Sequence, residues 1–416
     1  MAARERYFDL LRAIAIARVV TYHMFPLTAL ELGFPSMGVM FALGGSLMAL
    51  SLDKAAARAA QGHTVIISRL RRLLPALWVL GAVAVPVMLL HGWEDPPWAQ
   101  LLFWVLPLAD PPSNEFGAEA AGPLWYLVTY LWLVVFSPGL LWLYRRAPLP
   151  VLVAPLVLLG LMLVTPLGLP ELVERTAGTV LAFATSWMLG FAHRDGHLRR
   201  LPGAATVVIA VACVVGALAW WQAYPDDEGG GITDLPLAYA VFSAGFTLML
   251  LRWTPPTGWL ARARFLDALV TLINARAVTI YLWHNVAITA AIVAGNALEL
   301  WNLGPVGEQG GTFLIALGLL SAVVLMIGWV EDVSAKRPPR LLPRPTAAST
   351  PEPAPAPAPH QPQAAHGPAA HHGSVATHGP AAAHGPAAPH QPSPPGPAPA
   401  TARIEDQPTQ RLTPRP

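Results

Sequence analysis

Apolar stretches of roughly transmembrane length recur along almost the whole of the first 330 residues. This pattern constrains the fold more than any motif does. A membrane crossing takes about 20 apolar residues. That ruler marks ten windows, near 7-29, 34-52, 74-91, 123-144, 148-168, 176-193, 204-224, 234-252, 277-298 and 311-330. The apolar run 98-108 is about half a span long and reads as an interfacial or re-entrant piece. Only 12% of residues are charged, about half of what a water-soluble domain carries. The expectation is an all-α polytopic membrane protein with about ten transmembrane helices.

Loop charge tests that count independently. With the first residues inside, the inner segments hold Arg69, Arg71, Arg72, Arg145, Arg146, Arg199, Arg200, Arg262, Arg264, Arg276, Lys336 and Arg337. The outer loops hold a single basic residue, Arg175, among acidic ones such as Glu94, Asp110, Asp226 and Glu308. The positive-inside rule therefore predicts both termini in the cytoplasm. Arg4, Glu5 and Arg6 lead into the first apolar run, but no small-residue cleavage site follows it, so that run reads as a retained helix.

From residue 338 Pro and Ala dominate, and His-Gly-Pro recurs at His366, His378 and His384. Such composition cannot bury enough apolar surface to fold, and 338-416 is expected to be a disordered cytoplasmic tail after a membrane domain over 1-337. The single cysteine, Cys213, excludes an internal disulfide framework and a Cys-clustered zinc site, and no metal site is expected. A net charge of +2 gives no reason to expect nucleic acid as a partner. The GxGxxG, Walker, HExxH and GxSxG patterns are all missing from the sequence, which argues against nucleotide-hydrolysing, zinc-protease and serine-hydrolase chemistry.

Ionisable residues inside a span are costly, so each is a functional candidate. The first window carries Asp9, Arg12, Arg18 and His23. Asp9 and Arg12 share a helical face and can pair. Arg12 and His23 lie about three turns, roughly 16 Å, apart on one face. A histidine in a partly wet cavity suits general-base work, because its ordinary pKa is about 6.5. Against this stand plainer roles: Arg12 snorkelling to headgroups and His23 packing against a neighbouring helix. Arg18 faces elsewhere and either pairs with another helix or lines water. Arg69, Arg71 and Arg72 form a basic cluster that is either a topology signal or a clamp for a phosphorylated ligand. Trp125 and Tyr126 open the fourth window, and Tyr281 and His284 share a face in the ninth. These four are candidate cavity-lining residues, with the interfacial aromatic belt as the alternative for the first two.

These segments resemble, in order, those of the membrane-bound acyltransferase 3 family. Phe8-Asp9-Leu10-Leu11-Arg12 through Tyr22-His23 is similar to its opening helix, where a basic residue and a histidine stand with ten residues between them. Arg69 and Arg72 match its Arg-x-x-Arg element, followed by Leu-Leu-Pro. Gly38-Val39-Met40-Phe41, Leu124-Trp125-Tyr126-Leu127 and Ile280-Tyr281-Leu282-Trp283-His284 resemble further signatures. The resemblance covers about 6-331. Two positions depart from it: Gly44-Gly45 stands where the family has Ser-Gly, and Arg18 where it is usually apolar.

The resemblance implies a multi-pass enzyme of a bacterial cytoplasmic membrane. It would transfer an acyl group, often acetyl, from acyl-CoA to a hydroxyl of a glycan or glycosylated small molecule. Acyl-CoA is then a donor substrate, and no bound cofactor is expected. His23 would be base or acyl relay, Arg12 and Asp9 its support, and Arg69, Arg71 and Arg72 the donor's phosphate site. The competing classes are a glycan or lipid transporter without acyl chemistry, and a scaffold acting through its tail.

Overall fold

The computed structural model describes residues 2-166, 168-224 and 230-342. The long helices are α1 (Ala2–Met24), α2 (Ser36–Ala56), α3 (Gly62–Leu90), α4 (Leu124–Arg146), α5 (Pro148–Val164), α6 (Glu171–Arg194), α7 (Gly203–Ala223) and α8 (Pro236–Arg252). They continue with α9 (Arg264–Ala275), α10 (Ala277–Ala297), α11 (Gly304–Ile327) and the short α12 (Trp329–Ser334). No strand occurs among the described residues. That follows from the solvent: in hydrocarbon every backbone N–H and C=O must be satisfied within its own segment, and a helix does so unaided.

Helices occupy all ten sequence windows, but among the described residues six are both long and apolar enough to cross a membrane. These are Thr28–Ala56 (α2 with the short helix before it), α3, α4, α7, α10 and Leu300–Ile327. The others fall short for identifiable reasons. Helix α1 carries Arg6, Asp9, Arg12 and Arg18, and the uncharged stretch of α6, 176-193, is diluted by Thr176, Thr179, Thr185, Ser186 and His193. Helices α5 and α8 have 17 residues each. The apolar run 98-108 contains only a 3₁₀ turn, Gln100–Trp104, with Trp104 buried. Apart from 338-342, the Pro/Ala/His-rich segment lies outside the described residues.

Helix α2 is the hub. In its apolar stretch 72% of residues are buried, against 17% in α7 and 22% in α11. Its main partner is α6, and the two backbones touch. A Cβ built on Gly45 would lie 2.0 Å from the Trp187 carbonyl oxygen. One built on Gly190 would lie 2.2 Å from the Ala42 oxygen and 2.5 Å from the Ser46 nitrogen. Small residues allow this approach, and between lipid-solvated helices such packing replaces the hydrophobic drive available in water. Polar bonds add to this: Ser46 Oγ of α2 lies 3.0 Å from His193 Nδ1 of α6, and the Trp187 indole N–H of α6 donates to Ser137 Oγ of α4 at 3.0 Å.

The amphipathic α9 fastens the start of α1. Asp267, Thr271 and Asn274 recur at i, i+4 and i+7, so they form one polar stripe. Arg6 donates to Asp267 Oδ1 at 2.5 Å and to Thr271 Oγ1 at 2.9 Å. Arg12 donates to Asn274 Oδ1 at 3.1 Å, and Asn274 Nδ2 donates to the Asp9 carbonyl at 2.7 Å. Phe265, Leu266 and Leu269 of the same helix are exposed, as expected of a helix lying in the membrane interface.

Replacing Gly190 by Ala must separate α2 from α6. We expect that variant to melt several degrees lower in detergent than the parent. Gly310→Ala, where a Cβ meets nothing within 4 Å, should be neutral or slightly stabilising because Ala favours helix.

Candidate active site

A cleft of about 430 Å³ opens between α1, α2, α3, α4, α10 and the segment after α11. Its charges are four guanidiniums, from Arg12, Arg69, Arg72 and Arg337, against the single carboxylate of Glu331. Arg69 and Arg72 are one turn apart on α3 and so share its inner face. Arg71, between them, is exposed and does not line the cleft. Arg69 donates to Ser51 Oγ at 2.9 Å and to the Leu47 carbonyl at 3.3 Å. Among the described residues no carboxylate lies within ion-pair distance of Arg69 or Arg72. The cleft therefore presents unneutralised positive charge, with Arg72 in the electrostatic reach of Arg69, Arg71 and Arg337. Such a site selects an anion.

Tyrosines form another wall. Tyr126, Tyr130 and Tyr281 line the cleft, with Arg12 in the electrostatic reach of Tyr126. From Tyr126 a series of ring contacts leads away from the arginines. Tyr126 meets Tyr281 at 4.8 Å between centroids, Tyr281 meets His284 at 5.6 Å, and His284 meets His23 at 4.8 Å. The Tyr281 hydroxyl donates to the Pro123 carbonyl at 3.1 Å, which fixes the ring. His284 Nδ1 lies 2.6 Å from the Tyr281 carbonyl. A carbonyl only accepts, so Nδ1 carries the proton and Nε2 keeps its lone pair. That Nε2 is buried and has no partner. His284 is buried whereas His23 is exposed.

The fold thus brings Arg12, Arg69, Arg72, Tyr126 and Tyr281 to one cleft and sets the His23–His284 pair just behind Tyr281. Other sequence candidates lie apart. Asp9 accepts from Arg6 at 3.4 Å, while Arg12 reaches Asn274. Arg18 donates to the Leu30 carbonyl at 2.8 Å, lies over the Tyr22 ring at 4.5 Å and is not among the cleft residues. Trp125 stacks on Phe183 at 5.5 Å, also away from the cleft wall.

Sequence reasoning missed Asn274, Tyr130, Glu331 and the site role of Arg337. The period of Asp267, Thr271 and Asn274 was an available signal for the first. The others depend on how the chain returns after α11. There Arg276, fully buried, donates to Asp332 Oδ2 at 2.8 Å and also to the Arg340 carbonyl. Asp332 also takes the Arg340 amide at 3.2 Å and Arg337 at 3.2 Å. Burial alone raises the Asp332 carboxyl, but the Arg276 bonds and these further donors carry it below its ordinary range. Next to it Glu331 accepts the Thr279 amide at 2.8 Å and the Thr279 hydroxyl at 2.6 Å, capping the start of α10. Burial raises the Glu331 carboxyl.

The family model described as an acyltransferase domain, that of the acyltransferase 3 family, matches residues 5–330. The chain belongs to this family. This acyltransferase is also a multi-pass membrane protein, as its six long apolar helices require. No curated protein and no solved structure matches the chain.

Asp332→Ala would leave Arg276 buried without its counter-charge. Breaking a buried pair from one side costs about 3–5 kcal/mol. We expect a marked loss of thermal stability in detergent, whereas Arg175→Ala, which removes only the exposed Glu171–Arg175 pair, should change it little.

Proposed function

We propose that this acyltransferase moves an acyl group, acetyl above all, from a cytoplasmic acyl-CoA to a hydroxyl of a glycan or glycosylated small molecule. In this reading all ten long windows cross the bilayer, both termini face the cytoplasm, and the enzyme sits in a bacterial cytoplasmic membrane. The observation that carries it is the joining of two unlike features in one bundle. An arginine-lined cleft suited to phosphates leads, through Tyr126 and Tyr281, to a pair of histidines.

The division of labour follows from charge and burial. Arg69 and Arg72 hold the donor's phosphates, since a guanidinium fork matches phosphate oxygens. Arg12, braced by Asn274, supports the donor further in. His23 takes the proton of the acceptor hydroxyl as its oxygen attacks the thioester carbonyl carbon. The C–O bond forms, the C–S bond breaks, and the thiolate leaves to be protonated as CoA; alternatively His23 carries the acyl group in between. His284 orients His23 from the buried side. General-base catalysis contributes about 10²- to 10⁴-fold.

His23→Ala should therefore lower the turnover of a purified, folded enzyme by about that 10²- to 10⁴-fold factor, read as ester formation from labelled acetyl-CoA. Arg69→Ala/Arg72→Ala should instead abolish the thermal stabilisation by acetyl-CoA. Full activity of the histidine variant would remove His23 from the mechanism. Absence of any acyl-CoA effect on folded parent protein would favour transport without acyl chemistry. Deleting 345-416 should leave transfer intact, because every cleft residue precedes it; loss of transfer would favour a role for the tail.

A further inference from the structure

The family match ends at residue 330, yet the cleft does not. Glu331, Ala335 and Arg337 line it from the segment that follows α11. We infer that Arg337 is a third arginine of the donor's phosphate site, supplied by a C-terminal strap that lies beyond the family match. This inference rests on the reading of the cleft as the acyl-CoA site.

The strap is built to hold Arg337 in place. Helix α12 ends in a reversal: the Lys336 amide donates to the Val333 carbonyl at 2.9 Å, and the Arg337 amide donates to the Asp332 carbonyl at 2.8 Å. These two bonds define a helix stop with a left-handed residue at its corner, a position usually given to Gly. Here Lys336 takes it, with φ of 58°. A non-Gly residue there costs of order 1 kcal/mol and persists only where its surroundings impose it. They do so here through Arg276 to Asp332 and Thr279 to Glu331, which tie α12 to the start of α10. The reversal returns the chain beneath the cleft, where Arg337 Nη2 lies 3.2 Å from Asp332 Oδ1 as an ion pair. The guanidinium fork keeps donors for a ligand.

Charge bookkeeping points the same way. Asp332 is shared between Arg276 and Arg337, so it does not neutralise both. Glu331 is tied to Thr279. Arg69, Arg72 and Arg337 therefore stand as neighbouring cations around one cleft, an arrangement that like-charge repulsion disfavours until an anion enters. A ligand carrying several phosphate charges, as the nucleotide end of acyl-CoA does, satisfies it.

The test is acetyl-CoA affinity of the full-length detergent-purified protein at low and high salt, for the parent, Arg337→Gln, Arg337→Lys and Arg69→Ala/Arg72→Ala. Arg337→Gln should weaken binding roughly tenfold, the size of a charge-assisted contact, and flatten the salt dependence. Arg337→Lys should recover the salt dependence and part of the affinity, because it keeps the charge and loses the fork. The melting temperature without ligand should not move. Unchanged affinity in Arg337→Gln, or a loss with undiminished salt dependence, would overturn the assignment. If the double variant loses binding while Arg337→Gln does not, only this inference fails. If the folded parent binds no acetyl-CoA, the reading of the cleft fails with it.

Discussion

The contact between α2 and α6 at Gly45 and Gly190 underlies the rest of the molecule. A cleft with four arginines is an expensive object in hydrocarbon, and lipid-facing helices gain nothing from the hydrophobic effect by leaving lipid for one another. What holds them is close packing and buried polar bonds. The two glycines let the backbones meet, and that leaves α2 fixed as the wall on which α1, α3, α4 and α8 also pack. Met40, Gly44 and Leu47 then face the cleft from a helix that cannot shift.

On this frame the polar residues are organised in pairs of unequal strength. At the start of α1 a ladder of half-buried groups, Arg6 with Asp267 and Arg12 with Asn274, settles the helix against α9. At the start of α10 a fully buried arginine and its carboxylate do the same for the strap. The first ladder leaves Arg12 available to the cleft; the second leaves Arg337 available. In both cases the acidic or amide partner comes from a segment outside the ten apolar windows.

That is why the sequence disclosed some of the site and not the rest. Arg12 and His23 were legible because charge inside an apolar run stands out, and Arg69 and Arg72 because their spacing is that of one helical turn. Helix α9 was hidden among inner-loop charges, although its polar period is regular. Arg337 looked like any cytoplasmic cation, since only the fold reveals that Arg276 and Thr279 draw the chain back under the cleft. The apolar ruler found where helices lie, but length and composition credit six of the described helices as spans, because α1 carries charges, α6 is diluted by polar uncharged residues, and α5 and α8 are short. The pairing of His23 with His284 joins residues 261 positions apart in sequence, which no local pattern encodes.

The bond from His284 Nδ1 to the Tyr281 carbonyl fixes what this buried ring can offer. A histidine has two ring nitrogens through which it can meet its neighbours. Here one nitrogen is spent on the carbonyl of its own helix, a group that does not accept protons at physiological pH. His284 therefore has only Nε2 left for a partner. The ring is thereby held in one orientation and one tautomer, and Nε2 offers a neighbour an acceptor and not a donor.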